Sequence, residues 1–108
     1  MKPNSQQAQA MKQLQKVQAE MAKVQDELSN TEVEESVGGG TVKVTMTGDQ
    51  RVTRVNIDLR ALDPDDVEIL EDMVAAAVNG VIVKAKELES RRMNSIVGGL
   101  GLPGGLGF

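Results

Sequence analysis

Hydrophobic positions along the chain follow three successive rules. Between residues 5 and 29, Ala10, Leu14, Val17, Met21, Val24 and Leu28 recur in alternating steps of four and three. That spacing keeps one apolar seam on one face of a helix, with heptad a and d periodicity. Ser5 or Asn4 can cap its start, and the intervening Gln, Lys, Ala and Glu are good helix formers. From Thr31 the period becomes two. Val42, Val44 and Met46 alternate with Lys43, Thr45 and Thr47, and Thr53, Val55, Ile57 and Leu59 alternate with Arg54, Asn56 and Asp58. Strands are predicted over 31–37, 41–47 and 51–59, joined by Gly38-Gly39-Gly40 and Gly48-Asp49-Gln50. The third rule is helical again: Val67, Leu70, Val74, Ala77, Val81, Ala85 and Leu88 form one stripe, widened by Ile69, Met73, Ala76, Val78, Ile82 and Val83. Asp63 as cap, Pro64 at the first helical position, and Asp65, Asp66 and Glu68 at the positive dipole end predict a helix over 64–92.

This order of elements defines an α+β protein with a three-stranded antiparallel sheet, one face on helices and one in water. Glu32 and Glu34 are expected as cross-strand partners of Lys43. A helix over 64–92 is about 43 Å long, whereas a compact chain of this size has a radius of gyration near 13 Å. Such a helix must project, and its nearly all-round apolar middle calls for a homodimer. Val74, Ala76, Ala77, Gly80 and Val81 are the expected dimer contact, because small Ala76 and Gly80, four apart, permit close helix approach. Residues 1–95 form the single domain in this reading. Residues 96–108 form a tail, rich in Gly yet interleaved with Ile96, Val97, Leu100, Leu102, Leu106 and Phe108. Its glycine density predicts a flexible segment, whose apolar residues dock on the protein's own dimer or on a protein partner.

Composition narrows the function classes. The chain has no Cys, His, Trp or Tyr, and its one Phe is the last residue. That removes the usual zinc sites, thiol redox chemistry and the Ser-His or Cys-His nucleophiles. It also removes the aromatic platforms on which single-stranded nucleic acid stacks, so a nucleic-acid ligand is expected to be duplex, bound through its phosphates. Lys2 is not followed by the apolar run of a signal peptide, and Met73 to Val83 falls short of the roughly 20 residues of a membrane span. The expectation is an intracellular protein with no membrane association.

Three motifs invite chemistry and fail on context. Gly99-Leu-Gly101-Leu-Pro-Gly104 spells the dinucleotide fingerprint, yet Pro103 interrupts it and the chain ends four residues later, with no helix to receive a pyrophosphate. Gly38-Gly39-Gly40 lacks the Lys of a phosphate-binding loop and reads as a turn. The acids Asp63, Asp65, Asp66, Glu68, Glu71 and Asp72 lack calcium-loop spacing, with Val67 at the fifth position, and helix capping accounts for the first four. No nucleophile, oxyanion donor or pocket accompanies them. No metal, no cofactor and no enzymatic activity are expected.

The net charge of −4 hides a segregated distribution. Bases concentrate at the two ends of the domain: Lys12, Lys16 and Lys23 on the first helix, and Lys84, Lys86, Arg91 and Arg92 late on the second, with Arg51, Arg54 and Arg60 around the third strand. A row such as Lys12, Lys16, Glu20, Lys23 and Glu27 is ordinarily a solvated face with local Lys16–Glu20 and Lys23–Glu27 pairs. Bases in a last helical turn also answer the helix dipole. The sharper reading is a rail for phosphates, and a local basic surface is compatible with an acidic mean.

Four stretches together resemble the YbaB/EbfC family of bacterial nucleoid-associated proteins: the Gln/Lys-rich first helix, GGGTVKVTMTGDQRVTRVNID, LDPDDVEILEDMVAAAVNGVIVKAKE and GGLGLPGGLGF. The resemblance covers nearly the whole chain in order. It implies an α-β-β-β-α protomer with two long helices, a tweezer-like homodimer, and double-stranded DNA as partner, bound without a cofactor in the cytoplasm and nucleoid. It further implies DNA contact through the long helices, which by region selects Lys12, Lys16, Lys23, Lys84, Lys86, Arg91 and Arg92. The alternative is a dimeric protein-protein adaptor that uses its seam, sheet face and tail, with incidental DNA affinity.

Overall fold

A computed structural model describes residues 5–99. The elements follow as α1 (Ser5–Ser29), β1 (Glu32–Val37), β2 (Val42–Thr47), β3 (Val52–Ile57), a 3-10 turn (Leu59–Ala61) and α2 (Val67–Gly99). The strands pair antiparallel in the order β1-β2-β3. The α-β-β-β-α order and the meander expected from the alternation are therefore present. The molecule is long, 75 × 25 × 18 Å with a radius of gyration of 20.7 Å, well above the roughly 13 Å of a compact chain of this size.

The core is a helix laid on a sheet. Ala77, Val81 and Ala85 of α2 are fully buried against Val42, Val44 and Met46 of β2, with Val33 and Val37 of β1 at the margin. Alanines at two of these positions bring the helix close to the sheet, and each buried Val stabilises the fold by about 1.5–3 kcal/mol. A smaller cluster lies beyond the sheet's edge, where Val24 and Leu28 of α1 meet Leu88, Met93 and Ile96 of α2. There the two helices run antiparallel, and Glu27 and Arg92 pair across them at 3.8 Å.

Three features differ from those the pattern predicts. Helix α2 starts at Val67 because Asp66, not Asp63, is its cap: the Asp66 Oδ1 accepts from the Ile69 amide at 3.3 Å. Asp63 instead accepts from the Asp65 amide at 2.9 Å and closes a turn through Pro64. The helix continues to Gly99 because Met93 and Ile96 find apolar partners on α1. The expected tail thus begins inside α2 for residues 96–99, and residues 100–108 lie outside the described residues.

The third difference is a bulge. Thr45 pairs with Arg54 but Met46 pairs with Val52, so Thr53 is the extra residue on β3. The strict alternation breaks there, and Val52 joins Val55 and Ile57 on the face that carries Val42, Val44 and Met46. Helix α2 lies over β1 and β2 and leaves β3 largely uncovered. Val52, Val55 and Ile57 remain between 39% and 46% exposed.

Gly48 is where α1, the sheet and α2 meet. Its amide donates to the carbonyls of Leu28 and Thr31 at 2.9 and 2.8 Å. A Cβ at this position falls 2.8 Å from Leu28 Cδ2, 3.0 Å from the Leu28 carbonyl oxygen and 3.1 Å from Leu88 Cδ2. Gly48→Ala is expected to destabilise the protein by about 1–3 kcal/mol through overpacking at a backbone carbonyl. Urea unfolding checks this, and an unchanged midpoint contradicts the packing described.

Candidate nucleic-acid interface

Among the described residues, the buried positions of helix α1 are Val24 and Leu28, near its C-terminal end, and its first turns project. Lys12 and Lys16 are exposed on those first turns, and Lys23 is exposed beside Val24 on the side away from α2. Each follows a seam residue by two positions (Ala10, Leu14, Met21), about 200° round the helix, so the cations share the side away from the apolar seam. None of the three is in an ion pair within 4 Å among the described residues. The Lys16–Glu20 and Lys23–Glu27 pairs expected from spacing are not closed; Glu27 reaches across to Arg92 instead.

The four bases selected on α2 divide into two kinds. The Lys84 ammonium donates to the Glu34 carbonyl at 2.8 Å and pairs with the Glu35 carboxylate at 3.6 Å, which ties α2 to β1. Arg92 is held by Glu27. Both of these bases, selected as DNA contacts, are thus engaged by acids of the same chain while about half of each side chain stays exposed. Lys86 and Arg91 are exposed, without a carboxylate within 4 Å among the described residues, and they flank a shallow cleft of about 410 Å³ with Val83, Glu87 and Ser90.

The stripe expected to join two copies faces the chain's own sheet. Ala77 and Val81 are fully buried against β2, and Val74 packs on the same core. Gly80 lies under Glu35, whose Cγ sits 2.8 Å from where a Cβ would be. Its smallness therefore accommodates a strand carboxylate rather than a second helix. Of the five residues, Ala76 alone is exposed. The cause is that two short strands, β1 and β2, already supply the cover for the middle of the long helix. Glu35 is not among the residues that the sequence pattern singles out. Its signal is an acid on the inward-facing set Val33, Glu35, Val37, opposite a helix with Gly80 and Lys84 one turn apart.

The outward face of the sheet is polar and of mixed charge. Lys43 sits 4.0 Å from Glu34, as the cross-strand expectation has it, whereas Glu32 accepts from the Thr53 hydroxyl at 2.7 Å. Arg60 is held by Asp58 at 3.1 Å. Glu34, Lys43, Arg54 and Asn56 line an open groove of about 630 Å³ in which acids offset bases. Of the acid-rich start of α2, Asp63 and Asp66 act as backbone caps. Among the described residues no group of three His, Cys, Asp or Glu is placed to hold a metal ion, and no helix is long and apolar enough to cross a membrane.

These features define a class: an α-β-β-β-α chain whose two long helices project from a small meander, with cations on the solvent side of α1 that have no ion-pair partner among the described residues. The chain belongs to the YbaB/EbfC DNA-binding family, which it matches over residues 2–100. A nucleoid-associated protein of Dictyoglomus turgidum is 48% identical over 97 residues, covering 90% of this chain and 93% of its relative. One from Pelotomaculum thermopropionicum is 46% identical over 94 residues, covering 87% and 90%. The crystal structure of an uncharacterized protein from Helicobacter pylori shares the fold, with a TM-score of 0.67 at 23% identity, covering 93% of this chain and all of that one.

The two kinds of base separate experimentally. Lys84→Ala is expected to lower stability by about 1 kcal/mol, the scale of a half-exposed ion pair with one charge-assisted hydrogen bond, while leaving DNA affinity nearly unchanged. Denaturant unfolding and duplex titration on the same variant check both halves; intact stability with reduced DNA affinity contradicts the assignment.

Proposed function

We propose that this protein binds double-stranded DNA as a homodimer, mainly through phosphate contacts, and acts in the bacterial nucleoid on DNA conformation or access. The observation that carries the reading is the row Lys12, Lys16 and Lys23 along the solvent side of α1, exposed and without an ion-pair partner among the described residues. Lys86 and Arg91 add two free cations on α2. Family membership supports DNA as the ligand, and the absence of aromatic stacking groups favours duplex over single strands.

The dimer reading is supported by a different surface from the one the helix pattern suggests. Val52, Val55 and Ile57 form an apolar strip on β3 that α2 does not cover. Since Gly80 faces β1, the half-buried Val78 and Ile82 lie on the opposite flank of α2, toward that strip. Exposed Leu59 and Val67 extend it. A contiguous apolar surface of this kind is characteristic of an interface, and a second copy supplies its cover. Val55→Asp with Ile57→Asp is expected to convert the dimer to a folded monomer, measured by sedimentation equilibrium with circular dichroism as control. A wild-type chain that sediments as a stable monomer at micromolar concentration removes the dimer.

The DNA reading is tested by titrating duplex at several salt concentrations. Each neutralised phosphate contributes about −0.9 to the slope of log K against log salt. Lys16→Ala with Lys23→Ala is expected to weaken binding and to flatten that slope by about 0.9 for each phosphate left without its lysine. Absent or salt-independent binding contradicts the proposal. It would shift weight to the adaptor reading, in which protein partners survive nuclease treatment.

A further inference from the structure

We propose that the outward face of the sheet carries a second phosphate-binding site for double-stranded DNA, built from Arg54 and Lys43; the site rests on the DNA reading and adds a contact from the strands to those of the helices. The open groove of about 630 Å³ on this face is lined by the bases Lys43, Arg54 and Arg60 and the acids Glu34 and Asp58. The ion pairs divide these charges unequally. Asp58 holds Arg60 through two contacts, at 3.1 and 3.4 Å, whereas Glu34 reaches Lys43 only at 4.0 Å. Arg54 is exposed, with no carboxylate within 4 Å among the described residues. One whole guanidinium and one loosely held ammonium therefore share the groove.

Strand register brings the two cations together. Arg54 lies opposite Thr45 and Lys43 opposite Asn56, so Arg54 and Lys43 are diagonal neighbours on one face, roughly 7 Å apart at Cβ. Both side chains can reach one phosphate group, and the Asn56 amide adds a neutral donor beside them. Gly40, at φ +96°, ends the groove with backbone alone, so no side chain there blocks a broad ligand. The kind of ligand follows from what the groove lacks. Recognition of a free base relies on an aromatic ring to stack it, and the chain's one aromatic residue is Phe108. A peptide's apolar side chains would find a single apolar lining residue, Ile57. What remains is a guanidinium fork and an ammonium, the donors that phosphate oxygens accept from. Val55 points to the opposite face of β3, so a second copy covering the apolar strip leaves Arg54 open.

Duplex titration of the full chain across salt concentrations tests the site. Arg54→Ala is expected to weaken binding about tenfold near 0.05 M salt, and to flatten the slope of log K against log salt by about 0.9 for each phosphate left without its guanidinium. Its unfolding midpoint is expected to stay at the wild-type value, since the exposed side chain has no ion pair to lose. Glu34→Gln is expected to act in the opposite direction, because it frees Lys43 and removes a repelling carboxylate; affinity rises about threefold, the scale of one exposed ion pair. Wild-type affinity and slope in Arg54→Ala overturn this site, as does equal or weaker binding by Glu34→Gln. If Lys16→Ala with Lys23→Ala weakens binding in the same titrations, the DNA reading itself stands. A wild-type chain without salt-dependent duplex binding removes both. Saturable micromolar binding of inorganic phosphate or of a mononucleotide, lost in Arg54→Ala, assigns the groove to a small ligand and overturns the duplex as its occupant.

Discussion

A mismatch of lengths governs this molecule. Each strand has six residues, about 20 Å of sheet, whereas the 33 residues of α2 extend about 50 Å. The sheet can cover only the middle of the helix, and there the stripe Ala77, Val81, Ala85 lies flat on Val42, Val44 and Met46. What remains at either end needs another solution. Past Leu88 it is α1, which returns antiparallel and seals Met93 and Ile96. Before Leu70 it is the apolar hollow formed with Leu59 and Leu62. The projecting arm and the open apolar strip both follow from a helix more than twice as long as its sheet.

The charges are sorted by the same frame. Acids outnumber bases by four, yet several are engaged in holding the backbone or the helices. Asp66 caps α2, Asp63 closes the turn before it, Asp58 caps the 3-10 turn, Glu35 ties β1 to Lys84, and Glu27 ties α1 to Arg92. Among the described residues the bases left without an ion pair include Lys12, Lys16 and Lys23 along α1 and Lys86 and Arg91 on α2, with Arg51 and Arg54 at β3. An acidic chain can therefore present a cationic edge, and net charge alone is a poor guide to its ligand.

Much of this was legible in the residues, and the misses share one cause. Periodicity located both helices and all three strands, because an element with one apolar face carries its own period in the side chains, even in β3, whose apolar face the chain leaves open. It failed where a single backbone event or a tertiary partner decides. The bulge at Thr53 changes which β3 residues share the inner face, and no local propensity announces it. Asp63, Asp65 and Asp66 are equally good caps by composition, and only the turn through Pro64 selects Asp66. Gly80 and Ala77 read as a helix-helix contact because small residues look alike whether a helix or a sheet approaches them. Lys84 and Arg92 were indistinguishable from Lys86 and Arg91 until Glu35 and Glu27 were placed beside them. Amphipathic pattern reveals that a surface is covered; which element covers it is a property of the fold.

The arithmetic of charge connects the arm to the strip on β3. Lys12, Lys16 and Lys23 span eleven residues, about 17 Å of helix, a length over which one DNA strand presents about five phosphates. Three neutralised phosphates contribute a salt slope of only about −2.7, which belongs to weak, readily dissociated binding. A second arm on the same particle changes this without any new contact, because the second encounter becomes intramolecular and its effective concentration depends on how rigidly the arms are held. Strong DNA binding by a protein with so few free cations therefore requires two things of the fold: an interface that pairs the protomers, and arms stiff enough to meet a duplex together. The uncovered valines of β3 bear on the first requirement.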